Sequence, residues 1–106
     1  DEIIESISFS KPSNANYIKF PNPASRYAMV GVFVAQFDDG VRVAVTGAGE
    51  GGVFRHKEME TALSSNFSAE ALSSINIASD GLISDLHASS EYRANLIKEM
   101  TKRAVA

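Results

Sequence analysis

Cysteine is absent from this chain of 106 residues. That removes disulfides, thiolate catalysis, cysteine zinc sites and iron–sulfur ligation by this segment, and it fits a cytoplasmic protein. No apolar run reaches the roughly 18 residues of a membrane-spanning helix, so none is expected. The opening is acidic rather than basic, so no signal peptide is expected either. The first residue is Asp1 and not Met, which fits a fragment of something longer. Basic residues form no stripe and the formal net charge is −3, so nucleic acid is not an expected partner.

What is present is ordinary for one soluble domain spanning residues 1–106, with 44% hydrophobic and 22% charged residues. The stretch Tyr27–Gly47 organises it. Two strands there flank Asp39-Gly40, a strong hairpin signal. Pairing outwards from that turn sets Asp38 opposite Val41, Gln36 opposite Val43 and Val34 opposite Val45. Val30, Val32, Val34, Val41, Val43 and Val45 then share one face, stiff and dry, suited to covering helices. Met29, Phe33, Phe37, Arg42 and Thr46 fall on the other face, which is only half polar.

Around the hairpin, Glu2–Ser10 alternates Ile3, Glu5, Ile7 and Phe9 against Ile4, Ser6 and Ser8, and we predict a strand. Lys11–Ser25 is expected to be a long loop, because Pro12, Pro21 and Pro23 cannot occupy central ladder positions. Tyr17–Phe20 is an amphipathic island within it. A second turn is expected over Gly47–Gly52, then the start of a strand at Val53–Arg55. Lys57–Ser64 reads as a helix with Met59, Ala62 and Leu63 on one side. Ser68 is expected to cap a short helix to Leu72. Asn76–Asp85 reads as a loop. Ser89–Ala104 carries a four-residue recurrence of Tyr92, Leu96, Met100 and Ala104, a serine cap, Glu91 in the first turn and a Glu99–Arg103 pair. Strands come first and helices last. The expected class is α+β: an antiparallel sheet of about four strands with about three helices packed on one face, the valine face.

Candidate chemistry is sparse. Gly47, Gly49 and Gly52 satisfy G-x-G-x-x-G, but a dinucleotide site needs a helix opening at the last glycine. Val53–Arg55 continues as strand instead, and Glu50 would oppose a phosphate, so we read a turn. Asp85, His87 and Ser89 are triad residue types at three alternating positions before a helix. Such spacing does not set a nucleophile against a base with the acid behind it, so capping by Ser89 is the expected role. His56 and His87 lie far apart with no metal-ligand spacing around either. No catalytic residue and no metal site are expected. Lys19 and Arg26 flank the proline-rich loop and read either as solvated cations or as groups held toward an anion or polar ring.

Three segments resemble a known family. Residues 17–28, YIKFPNPASRYA, resemble the entry to the C-terminal domain of the medium, FAD-binding subunit of carbon monoxide dehydrogenases. Residues 41–48, VRVAVTGA, with 52–55, GVFR, resemble its next hairpin. Residues 84–93, SDLHASSEYR, with the helix running to Arg103-Ala104-Val105, resemble its closing motif. The similarity spans residues 15–106, and xanthine dehydrogenases carry a more distant version. The resemblance implies an α+β sandwich of a short antiparallel sheet and three helices, the C-terminal fragment of a larger flavoprotein subunit. Two N-terminal FAD-binding domains would precede it. Its partners would be a molybdopterin large subunit and a 2Fe–2S small subunit, with electrons passing from molybdenum through iron–sulfur to FAD. The resemblance places Lys19 near the flavin ring edge. Most FAD contacts would belong to the preceding domains, so FAD is not expected on the fragment itself. Ser25-Arg26-Tyr27 stands where xanthine dehydrogenases have acidic residues, so no acidic flavin contact carries over. The alternative from a different class is a stand-alone interaction or dimerisation module without a cofactor.

Overall fold

A computed structural model describes residues 1–106. Four antiparallel strands form one sheet in the order β1-β2-β3-β4: β1 (Asn14–Pro21), β2 (Ala28–Phe37), β3 (Gly40–Thr46) and β4 (Phe54–Arg55). Helix α1 (Lys57–Ser65), a 3-10 turn (Ala69–Leu72) and helix α2 (Ser90–Val105) follow. The class is α+β, with α2 lying on β1 and β2 and α1 on β3. No helix is long and apolar enough to cross a membrane.

The valine face is the core. Val30, Val32, Val34, Val41, Val43 and Val45 are all buried, against Met59 and Leu63 of α1, Leu72, and Leu96, Ile97, Met100 and Ala104 of α2. Full burial of each such side chain contributes about 1.5–3 kcal/mol, so this layer dominates the fold. The hairpin register differs from the one expected by two residues. Phe37 pairs with Gly40, Gln36 with Val41 and Val34 with Val43. The turn therefore consists of Asp38-Asp39, and Gly40 supplies the positive φ, at 141°. A slip of two preserves which face each side chain takes, and the valines stay together.

Met29 does not join Phe33 on the outer face. The register shifts between Phe20 and Pro21, with Phe20 opposite Val30 and Pro21 opposite Ala28. Met29 is the extra residue of that bulge and turns into the core beside Val30. The outer face is left with Tyr17, Lys19, Phe33, Phe37, Arg42 and Thr46, and the Arg42 guanidinium sits 5.4 Å from the Phe37 ring centre.

Two segments exchange roles relative to expectation. Glu2–Ser10 forms no strand here and is exposed throughout. The expected loop instead contains β1. Its prolines are consistent with an edge strand: Pro12 precedes it, Pro21 ends it and Pro23 lies beyond. The glycine-rich stretch is a turn, as expected, and leads into β4 rather than a helix. Gly47 takes φ 81°, and a Cβ there would meet the Ala28 carbonyl oxygen at 2.5 Å.

At the helices, Ser89 caps α2 by accepting from the Tyr92 amide at 3.1 Å. Ser68 occupies a cap position, but its hydroxyl makes no capping bond, and a 3-10 turn forms rather than an α-helix. Glu99 pairs with Lys102 at 3.1 Å instead of Arg103; the i,i+3 neighbour is equally close on a helix surface. Helix α1 also protects the exposed edge of β3. Glu60 accepts from the Val43 amide at 3.1 Å and Ser64 from the Val41 amide at 3.0 Å, satisfying edge donors that β4 is too short to reach.

Candidate functional site

The turn joining β1 to β2 is the most constrained part of the surface. Pro21 removes an amide donor and ends β1. Asn22 then closes an Asx-type turn, its side-chain oxygen accepting from the Ala24 amide at 2.9 Å. Its backbone exchanges two bonds with the far side of the turn: the Asn22 amide donates to Tyr27 at 2.7 Å, and the Arg26 amide to Asn22 at 2.8 Å. The Ser25 hydroxyl accepts from the Tyr27 amide at 3.2 Å. Arg26 is held at φ 68°, the sole non-glycine residue of the chain with positive φ. Such a backbone persists only where its surroundings over-determine it.

Lys19 reaches this turn from β1. Its ammonium donates to the Arg26 carbonyl oxygen at 3.2 Å. That bond uses one of three donors and leaves the cation exposed on the outer face. Tyr27, next in sequence to Arg26, is 81% exposed. The corner thus presents Lys19, Arg26 and an exposed aromatic ring on a rigid turn. Such a set suits the edge and face of a planar, electron-rich group.

The corner is buttressed from behind by the first turn of α2. The Phe20 and Tyr92 rings meet edge to face at 6.3 Å. Arg93 is the keystone, only 4% exposed. Its guanidinium donates to the Met29 carbonyl at 2.7 Å, the Gly47 carbonyl at 3.5 Å and the Asp85 carboxylate at 3.1 Å. Asp85 also accepts from the amides of His87 at 2.9 Å and Ala88 at 3.1 Å. The His87 amide, then the Ala88 amide and Arg93, hold its carboxyl below the usual range. Asp85, His87 and Ser89 therefore build a cap and a support rather than a triad. Arg93 was not singled out from the sequence. The available signal was its helical spacing: Arg93 lies three and four residues before the apolar Leu96 and Ile97, on the buried side of α2.

The surface has four concavities, and none includes Lys19, Arg26 or Tyr27. The largest, 610 Å³, lies at the hairpin end and is lined by Ser10, Lys11, Ser13, Phe37, Asp38, Asp39 and Arg42. It holds a solvent-exposed Asp39–Arg42 pair at 3.4 Å and no nucleophile–base pair. No three His, Cys, Asp or Glu side chains gather as metal ligands. His56 caps α1, its Nδ1 accepting from the Met59 amide at 3.3 Å.

No protein-family model matches the chain, and no solved structure matches it. Among curated proteins it is similar to the nicotine 6-hydroxylase medium subunit of Paenarthrobacter nicotinovorans, at 34% identity over 116 aligned positions. The alignment takes in 99% of this chain and 40% of that protein. This chain is thus similar to part of a hydroxylase medium subunit, and it spans two-fifths of that relative's length.

Proposed function

We propose that these 106 residues form the C-terminal domain of the FAD-binding medium subunit of a molybdenum-containing hydroxylase, of the carbon monoxide dehydrogenase and xanthine dehydrogenase kind. One convergence carries the reading. Arg93 joins the second and third of the segments that resemble that family, bonding Gly47 and Asp85, and its remaining acceptor, Met29, directly follows the first segment, which carries the Lys19 corner. The likeness to a hydroxylase medium subunit along nearly the whole chain supports it.

In this reading the domain completes a flavin site whose larger part lies in preceding FAD-binding domains of the same polypeptide. The subunit docks with a molybdopterin large subunit and a 2Fe–2S small subunit, and electrons arrive from molybdenum through iron–sulfur. Bound FAD supplies the redox chemistry. The residues here fit one edge of such a group. Lys19 has free donors, the turn that holds it is rigid, and no concavity of the chain at this corner could enclose a cofactor alone. Lys19 would hold the negative charge that gathers on the reduced ring edge, through a charge-assisted bond of about 1.5–3 kcal/mol. The substrate is chosen elsewhere in the assembly.

The test is flavin retention. The polypeptide from the complete reading frame is expected to purify with FAD, and the 106-residue chain alone without it. A complete polypeptide that neither retains nor titrates with FAD contradicts the proposal.

A further inference from the structure

Residues 1–12 make no hydrogen bond to the rest of the chain, yet they contain its densest exposed apolar cluster. Ile3, Ile4, Ile7 and Phe9 are 77–90% exposed. Soluble domains leave such side chains out singly, not four in seven positions. The order is that of a half-buried strand. Ile3, Ile7 and Phe9 alternate onto one side with Glu5, and Ile4, Ser6, Ser8 and Ser10 onto the other.

The segment cannot fold back on its own sheet. Ser13 is pinned where the chain enters β1, with both its amide and its hydroxyl donating to the Gln36 carbonyl, at 2.8 and 3.0 Å. Pro12 just before it has no amide to extend the ladder. The free edge of β1 also suits an isoleucine row poorly: Asn14 and Asn16 share one face with Ile18 and Phe20, which are already packed on this chain's own core, and Lys19 stands with Tyr17 on the other. That argues equally against the β1 edge of a second copy. The hydroxylase subunit to which the chain is similar has most of its length outside the alignment, enough for another sheet.

We propose that Glu2–Ser10 is a β-strand of a sheet in the remainder of the polypeptide, with Ile3, Ile7 and Phe9 on its buried face. This rests on the reading of the chain as one domain of a longer subunit, and it adds how the two parts are stitched. A strand of nine residues, about 30 Å long, anchors in the neighbouring sheet. The short link Lys11-Pro12-Ser13 then fixes where β1 begins. Lys19 lies six residues further, about 20 Å along the strand, so the anchored strand aims the Lys19 corner at the neighbouring domain.

Amide exchange by mass spectrometry on the complete polypeptide tests this. The amides of residues 3–9 are expected to exchange at least 100-fold more slowly than an unstructured peptide. Ile7→Asp, on the apolar side, is expected to abolish that protection, whereas Ser8→Asp, on the serine side, leaves it. Should Ile7→Asp not fold, wild type and Ser8→Asp still decide. A polypeptide that retains FAD while residues 3–9 exchange freely overturns the strand and spares the flavin reading. Protection without FAD does the reverse. Protection that disappears on dilution together with a dimer assigns the strand to a second copy and overturns the proposal.

Discussion

Arg93 donates to the carbonyl oxygen of Met29 at 2.7 Å across 64 positions of sequence. The bond joins the first turn of α2 to the bulge that turns Met29 into the core. With Gly47 and Asp85 on the same guanidinium, one buried side chain of α2 locks together the start of β2, the end of β3 and the loop that leads into α2. Arg93→Met keeps most of the bulk and removes the donors. It is expected to lower unfolding stability by about 1–3 kcal/mol, the cost of an unsatisfied buried acceptor. Arg93→Lys is expected to recover only part of this, because an ammonium cannot reproduce a planar fork serving three acceptors. Urea denaturation of the variants measures both.

Glu60 predicts acid sensitivity. Arg55 donates to it twice, at 2.8 and 2.7 Å, and Val43 once. The bond from Arg55, chiefly, holds its carboxyl below the usual range despite burial. The folded state thus binds this proton less readily than the unfolded chain. The stabilisation is complete above the unfolded value, about 4.3, and is lost as pH falls through the lowered folded value. Asp85 acts in the same direction. Stability measured from pH 6 to 3 is expected to fall less steeply in Glu60→Gln, which starts from a lower plateau.

His56 predicts a separate loss at milder pH. Burial, chiefly, lowers its pKa, and a protonated ring cannot accept from the Met59 amide. The neutral form belongs to the fold. Its contribution is therefore full above the unfolded value, about 6.5, and is lost as pH falls through the depressed folded value. His56→Asn retains a cap acceptor without titrating and is expected to flatten stability between pH 8 and 5.5. His56→Ala is expected to cost about 0.5–2 kcal/mol at pH 8. Thermal unfolding across that range distinguishes the two.

The parts of this fold that follow local rules were legible before the structure. Six alternating valines announced the buried face, and the hairpin slip left them in place because two steps restore side-chain direction. The caps and spacing of α2 also read correctly, since a helix is specified within a few turns. What was missed depends on contacts remote in sequence. Met29 changes face because of a bulge that no period-two pattern contains. β1 was hidden because its prolines flank the strand rather than interrupt it. Arg93 and Glu60 bond to carbonyls and amides whose positions exist only once the sheet has formed. Glu2–Ser10 has an alternating pattern but forms no strand, because no partner for it lies within these residues. Lys19 and Arg26 could be named together as flanking one loop, but the bond from the Lys19 ammonium to the Arg26 carbonyl could not be foreseen.

The central claim is that Lys19 meets a flavin held by the rest of the polypeptide. Flavin affinity and two-electron reduction potential, measured on the complete subunit carrying Lys19→Ala, test it most directly. A lost contact of about 1.5–3 kcal/mol predicts FAD binding weaker by about 10–100-fold, a potential lowered by about 30–60 mV, or both. A variant that binds FAD as tightly as wild type at an unchanged potential contradicts it.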